Sequence, residues 1–341
     1  MRPPPAGAGG LIGPHLQAFF AEHLLAHKRA SPQTIACYRD TFRLLLRFMR
    51  NRTGTEPAAL ALAALDADAV LAFLDHLESD RGCTVRSRNN RLAAIRSFFR
   101  LVALRAPDAL DQVTRIMAIP VKRGDKRLVS YLTRDEVKAL LAAPDRTTWS
   151  GRRDHALLLT LYNSGGRVSE IIALRREQVR LDPAGPCLEL HGKGCKQRVV
   201  PLWTETARVL RAWLRELDGQ AGAIDSVAFP NARGQPLSRD GVGYLLRQTV
   251  IAAATACPSL KAKKVSPHVL RHSTAMHLFQ AGVDMTVIAL WLGHESLETT
   301  HVYIEADLAT KERALAKLAP MPGTTARFRP DDKLLAFLAA L

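Results

Sequence analysis

Apolar residues at helical spacing run through almost the whole chain and give way once, between Cys187 and Leu202, to a pattern of different period. Such a chain is confined to a mainly α fold with a small antiparallel β-sheet. Four helical stretches fill the first 105 residues. Leu16 to Arg29 places Leu16, Phe19, Phe20 and Leu24 on one face; the next opens with Ser31-Pro32, an N-cap followed by proline at the first helical position, and carries Leu44, Leu45 and Phe48. Asp66 caps a third (Val70, Leu71, Phe73, Leu74, Leu77). The fourth, Thr84 to Leu104, sets Arg86, Arg88, Arg91, Arg96 and Arg100 opposite Leu92, Ile95, Phe99 and Val102. That basic row suits a phosphate backbone, and it equally suits a plain solvated face. Thr133-Arg134-Asp135-Glu136 is a capping box that opens a second helical series, at about 152 to 163, 168 to 176, 204 to 217, 238 to 255, 267 to 280, 284 to 292 and 297 to 318. Between them CLEL, HGKGCKQ and RVVPL read as a β-hairpin with glycines at its tip.

A length of 341 residues suits about two domains, and 47% hydrophobic with 23% charged residues is ordinary globular composition, so a mainly disordered chain is excluded. The expected divisions are a disordered lead-in at 1–12, a helical domain at 13–106, and a linker at 107–130 with Pro107, Pro120 and a basic stretch from Lys122 to Arg127. A second domain at 131–319 and a tail at 320–341 follow. The net charge of +16 makes a polyanion the leading partner. It is shared evenly: residues 1–126 hold 19 basic and 11 acidic residues, residues 127–341 hold 29 and 21, so each part carries +8. Two lobes touching one phosphate backbone would have that distribution; a basic tail on a neutral enzyme would not. A membrane partner is not expected, because the longest clear apolar run is the eight residues Ala58 to Leu65. The first ten residues lack a secretory pattern, and five cysteines without a C-x-x-C pair point to free thiols in a reducing, cytoplasmic setting without zinc.

Five short words lie in order in the second part: SGGRVSE at 164–170, HGKGCKQR at 191–198, HVLRH at 268–272, LGHESLETT at 292–300, and Tyr303 in HVYIE. Singly each has a bland reading: a charge at a helix start, a solvated turn, a histidine pair lining a helix. In this order the chain resembles the tyrosine recombinase, or phage integrase, superfamily, and more narrowly its Xer-like and mobile-element members. The resemblance implies a helical core-binding domain joined to a catalytic domain. It assigns the motif arginine to Arg167, the hairpin lysine to Lys193, the H-x-x-R pair to His268 and Arg271, the second histidine to His294 and the nucleophile to Tyr303. It also implies a homotetramer on paired sites in double-stranded DNA, with possible accessory recombinases. The tail stripe Leu334, Leu335, Phe337, Leu338 and Leu341 would then dock on a neighbouring protomer, or else on its own domain. Ser-Gly-Gly stands before Arg167 where Thr-Gly-Leu or Thr-Gly-Met is commoner, and Ile-Glu follows Tyr303 where Thr-His is frequent; both lean toward a mobile-element enzyme.

The chemistry of these residue types agrees with the resemblance. Displacement at a phosphodiester builds negative charge on the non-bridging oxygens, and two planar guanidiniums, Arg167 and Arg271, are suited to clamp them. The Tyr303 phenol must lose its proton on attack, to His268 or a neighbour; Lys193 can return one to the leaving 5′ oxygen, and His294 can donate to the phosphate. A phosphotyrosine conserves the bond energy, so neither ATP nor a metal cofactor is needed; no Walker-type loop or acidic metal cluster is found. His272 reads as support for the site, Glu170 as orienting the Arg167 segment or packing at a helix end, Tyr162 as core, and His23 with His27 as surface. Two rival functions stay open: type IB topoisomerase-like relaxation by a monomer, and a regulator that binds DNA without cutting it.

Overall fold

The computed structural model describes residues 10–124, 129–183, 185–192, 197–219 and 226–294, together with Thr300 and Tyr303. The chain divides into two compact units, Met1–Lys126 and Arg127–Leu341.

The first unit is built from α1 (Ile12–Ala18), which continues through a wider π-helical stretch to His27, then α2 (Pro32–Thr53), α3 (Ala67–Ser79), α4 (Val85–Arg105) and α5 (Leu110–Ala118). The starts follow local chemistry: Ser31 Oγ, Asp66 Oδ1 and Thr84 Oγ1 each accept a backbone N–H three residues on, from Thr34, Ala69 and Ser87. Phe19, Phe42 and Phe98 meet edge-on with ring centroids 5.2 to 6.0 Å apart, and Leu45, Phe73, Leu92 and Ile95 close the core around them.

Three expectations for this unit are corrected. The segment expected to be a linker from 107 contains α5, whose Val113 and Ile116, with Ile119 beyond its end, bury in the same core. Pro107 and Pro120 bracket this helix. The lead-in expected over 1–12 is already structured at Leu11, which bridges to Ala61, and at Ile12, which is fully buried. The arginines of α4 do not form one outer face. Arg88 is buried and donates through Nη1 to Pro120 O at 3.1 Å with Glu78 nearby, and Arg96 donates to Ile119 O. Because α4 buries residues around most of its circumference, some of its guanidiniums are spent on the carbonyls that follow α5.

The second unit begins with the capping box: Thr133 Oγ1 accepts from Glu136 N, and Glu136 Oε2 accepts from Thr133 N, at the head of α6 (Arg134–Ala142). Then come α7 (Trp149–Ser164), the short α8 (Val168–Ile172), strands β1 (Val179–Arg180), β2 (Cys187–His191) and β3 (Gln197–Pro201), and helices α9 (Thr204–Asp218), α10 (Arg239–Ala253), α11 (Pro267–Gln280) and α12 (Met285–Leu292). The hairpin β2–β3 is antiparallel, with Leu188 opposite Val200 and Leu190 opposite Arg198, and β1 adds a short edge strand on β2. Strand alternation turns Leu188, Leu190 and Val200 onto the core that Leu157, Leu161, Leu210, Trp213 and Phe229 complete. Apart from Thr300 and Tyr303, the helix expected over 297–318 lies outside the described residues, as do the tail at 320–341 and the hairpin residue Lys193.

Candidate active site

The site forms where the C-terminal ends of α7 and α12 meet the first turns of α8 and α11. Both α7 and α12 end in a left-handed glycine, Gly165 (φ +58°) and Gly293 (φ +66°), which turns the last carbonyls outward. Arg271 reaches from α11 to both ends: Nη1 donates to Gly165 O at 2.6 Å and Nη2 to Leu292 O at 2.7 Å. Arg167, the N-cap of α8, donates through Nη2 to the very next carbonyl, Gly293 O, at 3.2 Å. Consecutive carbonyls therefore hold the two guanidiniums side by side, and the negative ends of two helices offset their repulsion. Arg271 is 5% exposed; burial, then the charges of Arg167 and Arg198, lowers its pKa to about 10, which leaves it protonated at neutral pH.

Glu170 is the counter-charge. Its carboxylate accepts from Arg167 N at 2.9 Å and Arg167 Nη1 at 3.0 Å, and from both terminal nitrogens of Arg198, at 3.2 and 2.6 Å. Burial alone would raise its pKa, but the hydrogen bonds and charge of Arg198, with those of Arg167, hold it below the usual carboxylate range. Arg198 also donates through Nε to Trp291 O at 3.1 Å and packs against Gly293, so β3 is fastened to α8 and to the end of α12. Three guanidiniums thus share one carboxylate among the described residues, and the positive remainder suits an anion.

The Ser-Gly-Gly departure before Arg167 has a packing cause: a Cβ on Gly166 would lie 2.7 Å from Ile171 Cδ1, so Ile171 fills the space a larger residue would take.

His268 is the second residue of α11, after the Ser266 cap and Pro267, and is exposed. Desolvation, then the charges of Arg271 and Arg167, lowers its pKa. His294 follows Gly293 and its Nδ1 lies 2.7 Å from Thr300 Oγ1; burial, then the charges of Arg271 and Arg167, lowers its pKa to about 4. Tyr303 is 1% exposed among Ala275, Met276, Ile288 and Leu292. Its ring lies nearly parallel to His294, centroids 6.4 Å apart, and its hydroxyl is 3.0 Å from His272 Nδ1. Burial pushes its pKa up to about 12, against the opposing pull of Arg271.

Five of the six residues named from the sequence, Arg167, His268, Arg271, His294 and Tyr303, are thus brought to one place within a single chain. The sixth, Lys193, lies outside the described residues. Arg198 and Thr300 were not among the named residues. Strand alternation carries a signal for Arg198, which shares the inward face of β3 with Val200. Glu170 does orient the Arg167 segment. Tyr162 is half-buried, its hydroxyl 2.7 Å from His277 Nδ1.

A sequence profile described as the Phage integrase family matches residues 130–309, and one described as the Phage integrase N-terminal SAM-like domain matches residues 17–105. The chain is 51% identical over 331 residues to the protein y4rC of Sinorhizobium fredii, covering 97% of this chain and 98% of that one. It is 34% identical to the tyrosine recombinase XerC of Pelobacter propionicus, covering 85% and 90% of the two chains. Among solved structures, the XerH site-specific recombinase bound to palindromic difH substrate superposes with a TM-score of 0.68 at 21% identity, over 85% of this chain and 81% of that one.

Proposed function

This chain belongs to the phage integrase family of tyrosine recombinases, and we propose that its activity as a site-specific DNA recombinase runs through a 3′-phosphotyrosine formed on Tyr303. Arg167 and Arg271 flank the scissile phosphate and take up the charge that grows on its non-bridging oxygens. His268 and His294 add hydrogen bonds to the same oxygens, and Lys193 protonates the departing 5′ oxygen. The Tyr303 oxygen bonds to phosphorus, the bond to the 5′ oxygen breaks, and a free 5′-hydroxyl results. Attack by a 5′-hydroxyl reverses the step and rejoins the strand without ATP or metal. Double-stranded DNA is the partner, gripped by both basic halves of the chain. Recombination of two duplex sites needs four such centres, so the working form is a homotetramer on paired sites, with accessory recombinases as further partners, acting in the cytoplasm on the nucleoid. A mobile-element role fits the wording around Arg167 and Tyr303.

The observation that carries this reading is the position of Tyr303: its hydroxyl sits in the same chain's site, beside the imidazole of His272 and within the field of Arg271. The test is covalent trapping on a nicked duplex built on the sequence this protein enriches from a randomised duplex pool. The intact chain forms a protein–DNA adduct; Tyr303→Phe forms none yet shifts the same duplex. Adduct formation by Tyr303→Phe would overturn the assignment of the nucleophile.

A further inference from the structure

A buried phenol cannot attack phosphorus while it keeps its proton, and Tyr303 has its pKa raised to about 12 by burial. The proton therefore needs an acceptor within hydrogen-bond reach, placed before attack begins. Among the described residues, three imidazoles surround the site, and their engagements differ. His294 Nδ1 faces Thr300 Oγ1 at 2.7 Å. His268 lies at the exposed start of α11, one helical turn before His272. His272 Nδ1 is 3.0 Å from the Tyr303 hydroxyl, and the two rings meet edge-on with centroids 5.8 Å apart.

We propose that His272 is the proton acceptor for the Tyr303 nucleophile during cleavage and the donor that returns the proton during religation. The inference rests on Tyr303 being the nucleophile. It requires the tautomer with its proton on Nε2, so that the phenol O–H donates to Nδ1. The imidazole adjoins Arg271 in sequence, and Arg271 is fixed by carbonyls of two helices, so the backbone that carries His272 is held in register with the guanidinium clamp.

Among the described residues, the groups that face it are His268 on the preceding turn, Arg271 beside it, and His294 from the end of α12. Burial, then the charges of His268 and Arg271, lowers the His272 pKa to about 4, so the ring is neutral and free to accept at neutral pH. A base this weak does not ionise the phenol in advance. As the oxygen–phosphorus bond forms, however, the phenol oxygen loses its affinity for the proton, and the anionic phosphate raises that of the imidazole. Transfer is thereby tied to a bound scissile phosphate. In the balanced step the Tyr303 oxygen bonds to phosphorus and its proton passes to His272 Nδ1. The electron pair of the broken bond leaves with the 5′ oxygen, which takes a proton from Lys193. Religation runs each transfer backward.

The test compares His272→Gln and His272→Ala with the intact chain on the same nicked duplex, under single-turnover conditions from pH 6 to 9, with duplex binding and thermal melting measured in parallel. Glutamine can accept the phenol's hydrogen bond but cannot carry its proton away. Both variants are expected to form the adduct about 10²-fold or more slowly near pH 7, with binding retained, and the deficit is expected to shrink as pH rises because hydroxide can take the proton instead. Added imidazole is expected to recover part of the rate of His272→Ala. A His272→Gln chain that cleaves at the intact rate at every pH would overturn the proposal, reducing His272 to a hydrogen-bond acceptor. A deficit of the same size at all pH values, matched by loss of melting temperature and binding, would overturn it in favour of a structural role. An intact chain that forms no adduct would remove the nucleophile itself, which separates failure of the underlying reading from failure of this one.

Discussion

Arg167 and Arg271 each spend part of their donors on protein. Arg271 spends two terminal nitrogens on Gly165 O and Leu292 O, and Arg167 spends one on Gly293 O and one on Glu170. The planar group is thus aimed before any phosphate arrives, which makes its effect fall on the transition state more than on binding. Arg271→Ala should lower the single-turnover cleavage rate by about 10²-fold or more while changing duplex affinity much less, as read by adduct formation and gel shift. Equal losses in both would contradict the clamp. The histidines predict a pH effect on stability. His272 and His294 both have folded pKa values lowered to about 4 from 6.5, so below pH 6.5 the unfolded chain binds protons first. Their contribution is complete above 6.5 and is lost as pH falls toward 4. Melting temperature should be level from pH 7 to 8 and fall below 6.5, and His294→Asn should reduce that slope between pH 6.5 and 5.

At the scale of elements, α5 is the place where periodicity was hardest to read. The helix is only nine residues long and lies between two prolines, and its buried positions Val113 and Ile116 are too few to stand out from a turn-rich stretch. The structure shows what they bury against: Val113, Ile116 and Ile119 share the core of Phe73 and Leu92. Ile116→Ala should therefore cost about 2–5 kcal/mol in the first unit, visible in chemical denaturation, whereas a substitution in a true linker would cost almost nothing. The exposed neighbour Leu110 supplies the control, since truncating it removes little buried area. The same reasoning applies to α4, whose Arg88 was legible as a charge but not as a buried one. Its Nη1 donates to Pro120 O, some thirty residues further on, and no local pattern reports such a partner.

For the whole molecule, the even division of +8 and +8 between the two parts argues that both contribute to the grip on DNA. Counterion release then predicts a steep decline of affinity with salt, with log K falling by about 0.9 per phosphate contact for each unit of log salt. Charge reversal at exposed arginines of either unit, such as Arg86 or Arg100 in α4, should flatten that slope; an unchanged slope would mean that those side chains do not meet phosphate.

The amino-acid sequence by itself determined the class of fold, the hairpin, the capped starts at Ser31, Asp66, Thr84 and Thr133, and the candidates for the reactive groups. Each of these is written in short-range terms: apolar spacing, capping side chains, and motif words a few residues long. Only the tertiary structure decided which ends of which helices supply the carbonyls for Arg167 and Arg271, that Arg198 clasps Glu170, and that the imidazole beside the Tyr303 phenol is His272. Those partners are brought together by the packing of α7, β3, α11 and α12, and a contact between residues 21 to 126 positions apart leaves no trace in either neighbourhood.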